Sequence, residues 1–183
     1  MPIDYTIAAI PTVYGGIRYR SRLEAKWAAF FDVYGWEHEY EPADLGRWSP
    51  DFLIRTGHDP ILAEVKPITD LDEQVCNKIA HSARDAGFKG SLLLLGTSPF
   101  ISDEFPGLLA IGWLGSICDP FEGLPVADWF QAVLCRHDGS VDLEGCCPVA
   151  EIAGCWNEQM EHPPPEDVRS AWSHACNTVQ WRP

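Results

Sequence analysis

Two acidic residues and a lysine in the first half of the chain have the types and spacing of a hydrolytic metal site. Asp51 follows Pro50, Glu64 comes thirteen positions later, and Lys66 lies two positions beyond Glu64. Carboxylate oxygens are the ligands that Mg²⁺, or the similar Mn²⁺, prefers, and such a cation polarises a phosphoryl oxygen and activates water. A lysine beside it can orient the water or neutralise developing charge. This set of groups predicts hydrolysis of a phosphodiester bond.

The residues between these groups predict a β-hairpin that brings them together. Residues 51–55 and 61–65 are short β-prone runs, and residues 56–60 form a turn signal. A turn centred between Gly57 and His58 places Asp51 directly opposite Glu64 in an antiparallel pair. Because side chains alternate faces along a strand, Glu64 and Lys66 share one face. Directly opposed positions lie about 5 Å apart at Cβ, so two carboxylates and an ammonium should converge on one patch.

The flanking segments predict the elements that hold this hairpin in place. A helix is expected from Ser21 to Tyr34 with Gly35 as its stop, followed by a strand over residues 36–40. After the hairpin, Asp70 or Asp72 can cap a second helix that runs to about residue 86, and residues 92–95 form an apolar strand. The predicted order is α-β-β-β-α-β, an α/β fold with a mixed α+β sheet.

Composition limits the class of protein. The chain has 183 residues, of which 46% are hydrophobic, and no apolar run approaches the roughly 20 residues of a membrane span. The first residues lack the basic start and apolar core of a signal peptide, so we expect no membrane partner and a cytoplasmic location. The seven cysteines are odd in number and irregularly spaced, which favours reduced thiols.

Zinc is an alternative for part of this cysteine set. Five potential ligands lie close together in sequence, but no Cys-x₂-Cys pair is present to form a zinc knuckle. These are Cys135, His137, Cys146, Cys147 and Cys155. The eight tryptophans predict core packing, with base stacking by Trp48 as the one exception considered.

Net charge is unevenly distributed. The total is −14, and residues 91–183 carry −10 of it, so the chain as a whole does not resemble a simple nucleic-acid binder. Basic residues nevertheless cluster at the start of the first helix and around the second, which predicts a local positive rim. The first cluster, expected to face DNA, is Arg18, Arg20, Arg22 and Lys26. The second is Lys78, Arg84 and Lys89.

With these elements and motifs, the chain resembles the PD-(D/E)XK nuclease superfamily over residues 17–96. The runs 19–24, 40–42, 49–52 and 64–67 are similar to the N-terminal domain of TnsA-type transposon endonucleases and to small nuclease-like proteins of phages and actinobacteria. The resemblance implies that Asp51 and Glu64 are the principal metal ligands, that Lys66 is the catalytic lysine, and that Glu24 is a further acidic member of the site. It also implies a restriction-endonuclease-like core over residues 1–96. Residues 97–183 would then be an acidic extension, containing Cys and Trp, packed on that core.

Each of these residues also has an ordinary structural interpretation. Ser21 and Glu24 form a capping-box pattern, Asp51 can be a turn residue, and Glu64 with Lys66 can be a solvated charge pair. The leading hypothesis is a Mg²⁺-dependent nuclease that cleaves DNA, in a phage, mobile-element or DNA-processing context. The alternative is a non-cleaving protein of the same fold, whose acidic half binds a protein partner or imitates DNA. A third case is cleavage that occurs only inside an assembly, and the sequence also leaves open DNA or RNA and endo- or exonucleolytic cutting.

Overall fold

The computed structural model describes residues 9–55, 59–117, 126–137, 140–145 and 162–179. Residues 56–58 of the predicted hairpin turn lie outside the described residues, as do Cys146, Cys147 and Cys155 of the zinc alternative. The elements of the described part follow the predicted order α-β-β-β-α-β after a short N-terminal hairpin, which confirms the α/β class with a mixed sheet. None of the described helices is long and apolar enough to span a bilayer.

The strands and helices have the following bounds. The N-terminal hairpin pairs β1 (Thr12–Tyr14) with β2 (Ile17–Tyr19). The first half of the main fold contains α1 (Arg22–Tyr34), β3 (Glu37–Tyr40), β4 (Phe52–Arg55), β5 (Ile61–Val65) and α2 (Glu73–Asp85). The second half contains β6 (Ser91–Ile101), β7 (Leu109–Ile117), β8 (Ala127–His137), β9 (Ser140–Gly145) and α3 (Pro165–Thr178).

Local capping residues decide where the first two helices start and stop. The Ser21 side chain accepts a hydrogen bond from the Glu24 amide, and Gly35 ends α1 in the left-handed conformation at φ 70°. Glycine adopts this φ without the steric cost that a Cβ would bring. Asp72, rather than Asp70, caps α2 by accepting from the amides of Gln74 and Val75. The predicted helix boundaries are therefore confirmed to within a residue or two.

The described strands β3 to β9 form one sheet in sequence order, with β5 and β6 parallel and every other neighbouring pair antiparallel. In the central hairpin, Phe52 pairs with Ala63, Leu53 with Leu62, and Ile54 with Ile61. Continuing this register by one position puts Asp51 opposite Glu64. The predicted hairpin register is confirmed.

Helices cover both faces of the sheet, so the alternation of side chains decides which residues face which helix. On one face Phe52, Ile54 and Ala63 share a core with α1 and α3, where the rings of Trp27 and Trp172 are 4.5 Å apart between centroids. On the other face Leu62 belongs to a second core with the buried side of α2. Glu64 lies two positions after Leu62 on β5, so its side chain points to the same, second face of the sheet. Asp51 lies opposite Glu64 in the pairing and points to that face as well. The two carboxylates therefore lie on the α2 side of the sheet, at the end of the central hairpin.

The second half of the chain extends the same sheet. The apolar strand predicted at residues 92–95 is longer, because β6 continues to Ile101 past an irregularity in its pairing with β7 between Leu95 and Phe100. The predicted domain boundary after residue 96 falls inside β6. At Gly96 an added Cβ would lie 2.6 Å from the Ile68 carbonyl oxygen. Any other residue at position 96 would therefore require a shift of the backbone. The strands β7 to β9 are thus continuous with those that carry the candidate site.

Candidate active site

Asp51 lies immediately before β4 and is almost completely buried, with 4% of its surface exposed. One carboxylate oxygen, Oδ2, accepts a hydrogen bond from the Val65 amide at 2.8 Å, and the other, Oδ1, accepts one from the Arg20 guanidinium at 2.6 Å. The contact with Val65 follows from the hairpin register, which brings the end of β5 alongside residue 51. Asp51 is therefore held by backbone from one side and by a cation from the other.

Glu64 is the second buried carboxylate, with 6% of its surface exposed. Its Oε2 accepts a hydrogen bond from the indole nitrogen of Trp48 at 2.7 Å, and its Oε1 lies 2.5 Å from the ammonium nitrogen of Lys66. The Trp48 ring is itself buried in the core beneath α2. The prediction that Trp48 stacks on a base is therefore wrong, since the ring has no exposed face. The sequence around Trp48 gave no signal of its hydrogen bond to Glu64.

Lys66 follows β5 directly and presents its ammonium on the same side of the sheet as Glu64, as the alternation of side chains predicted. The Lys66 amide donates to the Leu95 carbonyl at 2.9 Å, which continues the β5–β6 pairing by one residue. The side chain stays 42% exposed. Its backbone is thus fixed by the sheet, while its ammonium can reach solvent or a bound substrate.

Glu24 approaches the same region from the first turn of α1 and is also buried. Its Oε1 accepts from the Ser21 hydroxyl at 2.7 Å, and its Oε2 accepts from the Tyr40 hydroxyl at 2.5 Å and from the Arg20 amide at 3.2 Å. Its structural role at the helix N-terminus is therefore confirmed. Its role as a metal ligand stays a prediction.

The four basic residues predicted to face DNA occupy different environments. Arg20 belongs to the site, because its guanidinium also contacts Glu41 at 2.9 Å in addition to Asp51. Arg18 is exposed on β2, whereas Arg22 and Lys26 are half-buried on α1. The Nε of Arg22 is buried without a hydrogen-bond partner among the described residues. Of the four, Arg18 is the one that the structure leaves openly available to a ligand.

Burial and two nearby acidic groups change the titration of Asp51. Burial, followed by the charge of Glu64 and then that of Glu24, raises the pKa of Asp51 to about 7. The hydrogen bond from Val65 and the charge of Lys66 act in the opposite direction. Ionisation of Asp51 beside Glu64 and Glu24 is therefore unfavourable unless another charge compensates it, and a bound cation would supply that charge.

A Mg²⁺ or Mn²⁺ ion fits the donor set of Asp51 and Glu64. Both side chains supply hard oxygen ligands, and the cations that now contact them, Arg20 and Lys66, are 57% and 42% exposed and have room to move aside. As the side chains are placed, no group of three Cys, His, Asp or Glu residues in the described part of the chain could hold a metal ion together. The two oxygens of Glu24 accept hydrogen bonds from Ser21 and Tyr40 at the helix end.

Neither the models of known protein families nor the curated protein sequences show a match to this chain.

The contact between Trp48 and Glu64 leads to a testable prediction about metal binding. Trp48→Phe keeps an aromatic ring in the core but removes the donor that orients Glu64. We expect the affinity for Mn²⁺, measured by isothermal titration calorimetry, to fall by about tenfold or more, as for other groups that position metal ligands. Trp113→Phe is the matched control, since Trp113 is a comparably buried tryptophan on β7 outside the site. Equal affinities of the two variants would contradict the positioning role of Trp48.

Proposed function

We propose that this chain is a nuclease of the PD-(D/E)XK class. The observation that supports the proposal best is the convergence of Asp51, Glu64 and Lys66 on one face of the hairpin, in the register that the sequence spacing predicts. Two buried carboxylates beside a half-exposed ammonium are expensive to maintain for stability alone, because burial raises the free energy of each ionised group. A catalytic use accounts for that cost.

More specifically, we propose a metal-dependent enzyme that hydrolyses phosphodiester bonds of DNA. The bound divalent cation would supply Lewis-acid stabilisation of the phosphoryl oxygens and a water of lowered pKa. Asp51 and Glu64 would hold the cation, with Trp48 fixing the orientation of Glu64. The Lys66 ammonium, adjacent to Glu64 and open to solvent, would orient the attacking water and balance the negative charge that develops on the phosphate.

Arg20 and Glu24 have supporting roles in this proposal. The Arg20 guanidinium, which is 57% exposed, would turn from Asp51 toward the substrate phosphates once Asp51 serves as a metal ligand. Glu24 and Tyr40 would hold the Arg20 backbone in place through the contacts that they make to its amide. Glu24 as a third ligand remains part of the proposal, and it requires a rotation of its side chain away from Tyr40.

Cleavage of supercoiled plasmid and of linear duplex DNA tests the proposal. We expect the protein to nick or cut these substrates with Mg²⁺ or Mn²⁺ and to stop when EDTA is added. Glu64→Gln should abolish the activity, because an amide cannot balance the charge of the cation. Glu73→Gln, an exposed change on the first turn of α2 that removes the same charge, should cleave like the wild-type protein. Cleavage that persists in Glu64→Gln would rule out this site.

One observation favours the second candidate, a non-cleaving interaction protein of the same fold. Arg20 and Lys66 pair with the two carboxylates, so the site is partly neutralised by its own side chains. The acidic residues 91–183 would then bind a basic protein partner or imitate DNA. Two results together would favour this candidate. The protein would show no metal-dependent cleavage, and a protein partner would bind the wild type but not a variant in which acidic residues of this segment are neutralised.

A further inference from the structure

A concave region lies between α2 and the loop before β4. It is a cavity of about 300 Å³ lined by one residue of the loop before β4 and four residues of α2. The lining residues are Arg47, Asn77, Lys78, His81 and Ser82. Two of them are cations, one is a histidine and two carry neutral polar groups, so the pocket offers hydrogen-bond donors and positive charge without a carboxylate in its lining.

The cations of this pocket have no acidic partner within the described part of the chain. Arg47 and Lys78 are exposed and form no ion pair there, whereas Arg20, Arg55, Lys66 and Arg84 each do. The His81 ring contacts the Arg84 guanidinium at 3.2 Å, which leaves the other ring nitrogen of His81 for a ligand. In a chain that has only 13 cations and a net charge of −14, two unpaired cations at one concavity are a local excess of positive charge.

The pocket is connected to the candidate active site through the loop before β4 and through α2. Arg47 immediately precedes Trp48, whose buried ring packs in the core beneath α2 with Ile79 and whose indole donates to Glu64. Lys78 immediately precedes Ile79 on α2. The pocket is therefore joined to Glu64 through Trp48 and through the core that Trp48 shares with α2.

We propose that this pocket binds a backbone phosphate of the DNA strand that flanks the cleaved bond. The inference rests on the proposed nuclease function, and it assigns the substrate-positioning contacts to Arg47 and Lys78, with Asn77 and His81 as further donors. Phosphate contacts of this kind fix the register of a nucleic acid on a protein without reading its sequence. An otherwise acidic protein needs such a concentrated positive site, because the rest of its surface repels the phosphate backbone.

Fluorescence anisotropy with a labelled DNA duplex tests the pocket separately from cleavage, with EDTA present so that the DNA stays intact. The variant is Arg47→Gln with Lys78→Gln. We expect it to bind about tenfold more weakly than wild type, and the dependence of log affinity on log salt to lose a slope of about 1–2, as for the loss of two phosphate contacts. The matched control, Arg55→Gln with Arg169→Gln, removes two exposed cations elsewhere and should keep the wild-type affinity and slope.

The outcomes separate the two proposals. Three results would contradict phosphate binding by the pocket. The pocket variant could bind DNA as tightly as the wild type, the control could lose as much affinity as the pocket variant, or the wild type could fail to bind DNA. If DNA binding depends on the pocket but the wild-type protein does not cleave with Mg²⁺ or Mn²⁺, the nuclease proposal and the position next to a cleaved bond fail, while binding of a DNA phosphate by the pocket stands. A pocket variant that loses binding but still binds an acidic polyglutamate probe as wild type does supports phosphate recognition. If the pocket variant loses binding of both DNA and polyglutamate, the pocket recognises any polyanion and the specific assignment to DNA is wrong.

Discussion

Lys66→Met should slow metal-dependent DNA cleavage by about 10²- to 10⁴-fold, the usual range for losing a group that orients water or stabilises transition-state charge. The methionine keeps most of the apolar stem of the lysine but has no ammonium, and the half-exposed position tolerates the change without loss of fold. The rate should be measured on linear duplex DNA with saturating Mg²⁺. The measured rate distinguishes a catalytic lysine from one that only forms a solvated charge pair with Glu64.

Binding of Mn²⁺ distinguishes the two roles that Lys66 could have. Its ammonium lies 2.5 Å from Glu64 and competes with a cation for that oxygen, so Lys66→Met should bind Mn²⁺ at least as tightly as the wild-type protein. Arg169→Met is the charge-matched control, since Arg169 is an exposed cation on α3 that forms no ion pair in the described part of the chain. Wild-type cleavage by Lys66→Met, or equal loss of activity in the control, would contradict the catalytic assignment.

The free energy of unfolding of the metal-free protein should decrease between about pH 4 and pH 7 because of Asp51. Its pKa is raised from 3.8 to about 7 in the folded protein, so across this interval the folded state keeps a proton that the unfolded state has released. Stability from this group is therefore complete at low pH and is lost as pH rises toward the folded pKa. The expected decrease is on the order of 2–4 kcal/mol.

Urea unfolding at a series of pH values checks this prediction when it is compared with Asp51→Asn. An asparagine oxygen can still accept from the Val65 amide, but the side chain does not titrate. The difference in unfolding free energy between the two proteins removes the background of the other acidic residues and isolates Asp51. Addition of Mg²⁺ near pH 8 should raise the stability of the wild-type protein far more than that of the variant, because the cation binds the ionised carboxylate. If the unfolding free energies of the wild type and Asp51→Asn change with pH in parallel, the pKa of Asp51 is not raised in the folded protein.

The sequence by itself determined the parts of this protein that depend on neighbours along the chain. The ends of α1 follow from Ser21 and Gly35, and the start of α2 follows from Asp72, because caps act within one turn of a helix. The register of the β4–β5 hairpin was also predictable, since the strand lengths and the turn between them fix which residues face each other. That register was sufficient to place Asp51, Glu64 and Lys66 on one face of the sheet.

Tertiary structure alone decided the contacts that surround these three residues. Trp48 reaches Glu64, and Arg20 reaches Asp51, only because the loop before β4 and the start of α1 are packed against the ends of the hairpin. The same packing turned Glu24 toward Tyr40 and set Arg47 beside Lys78. No periodicity encodes such pairs, since they join residues of different elements. The three-dimensional packing of the helices on the sheet selects them.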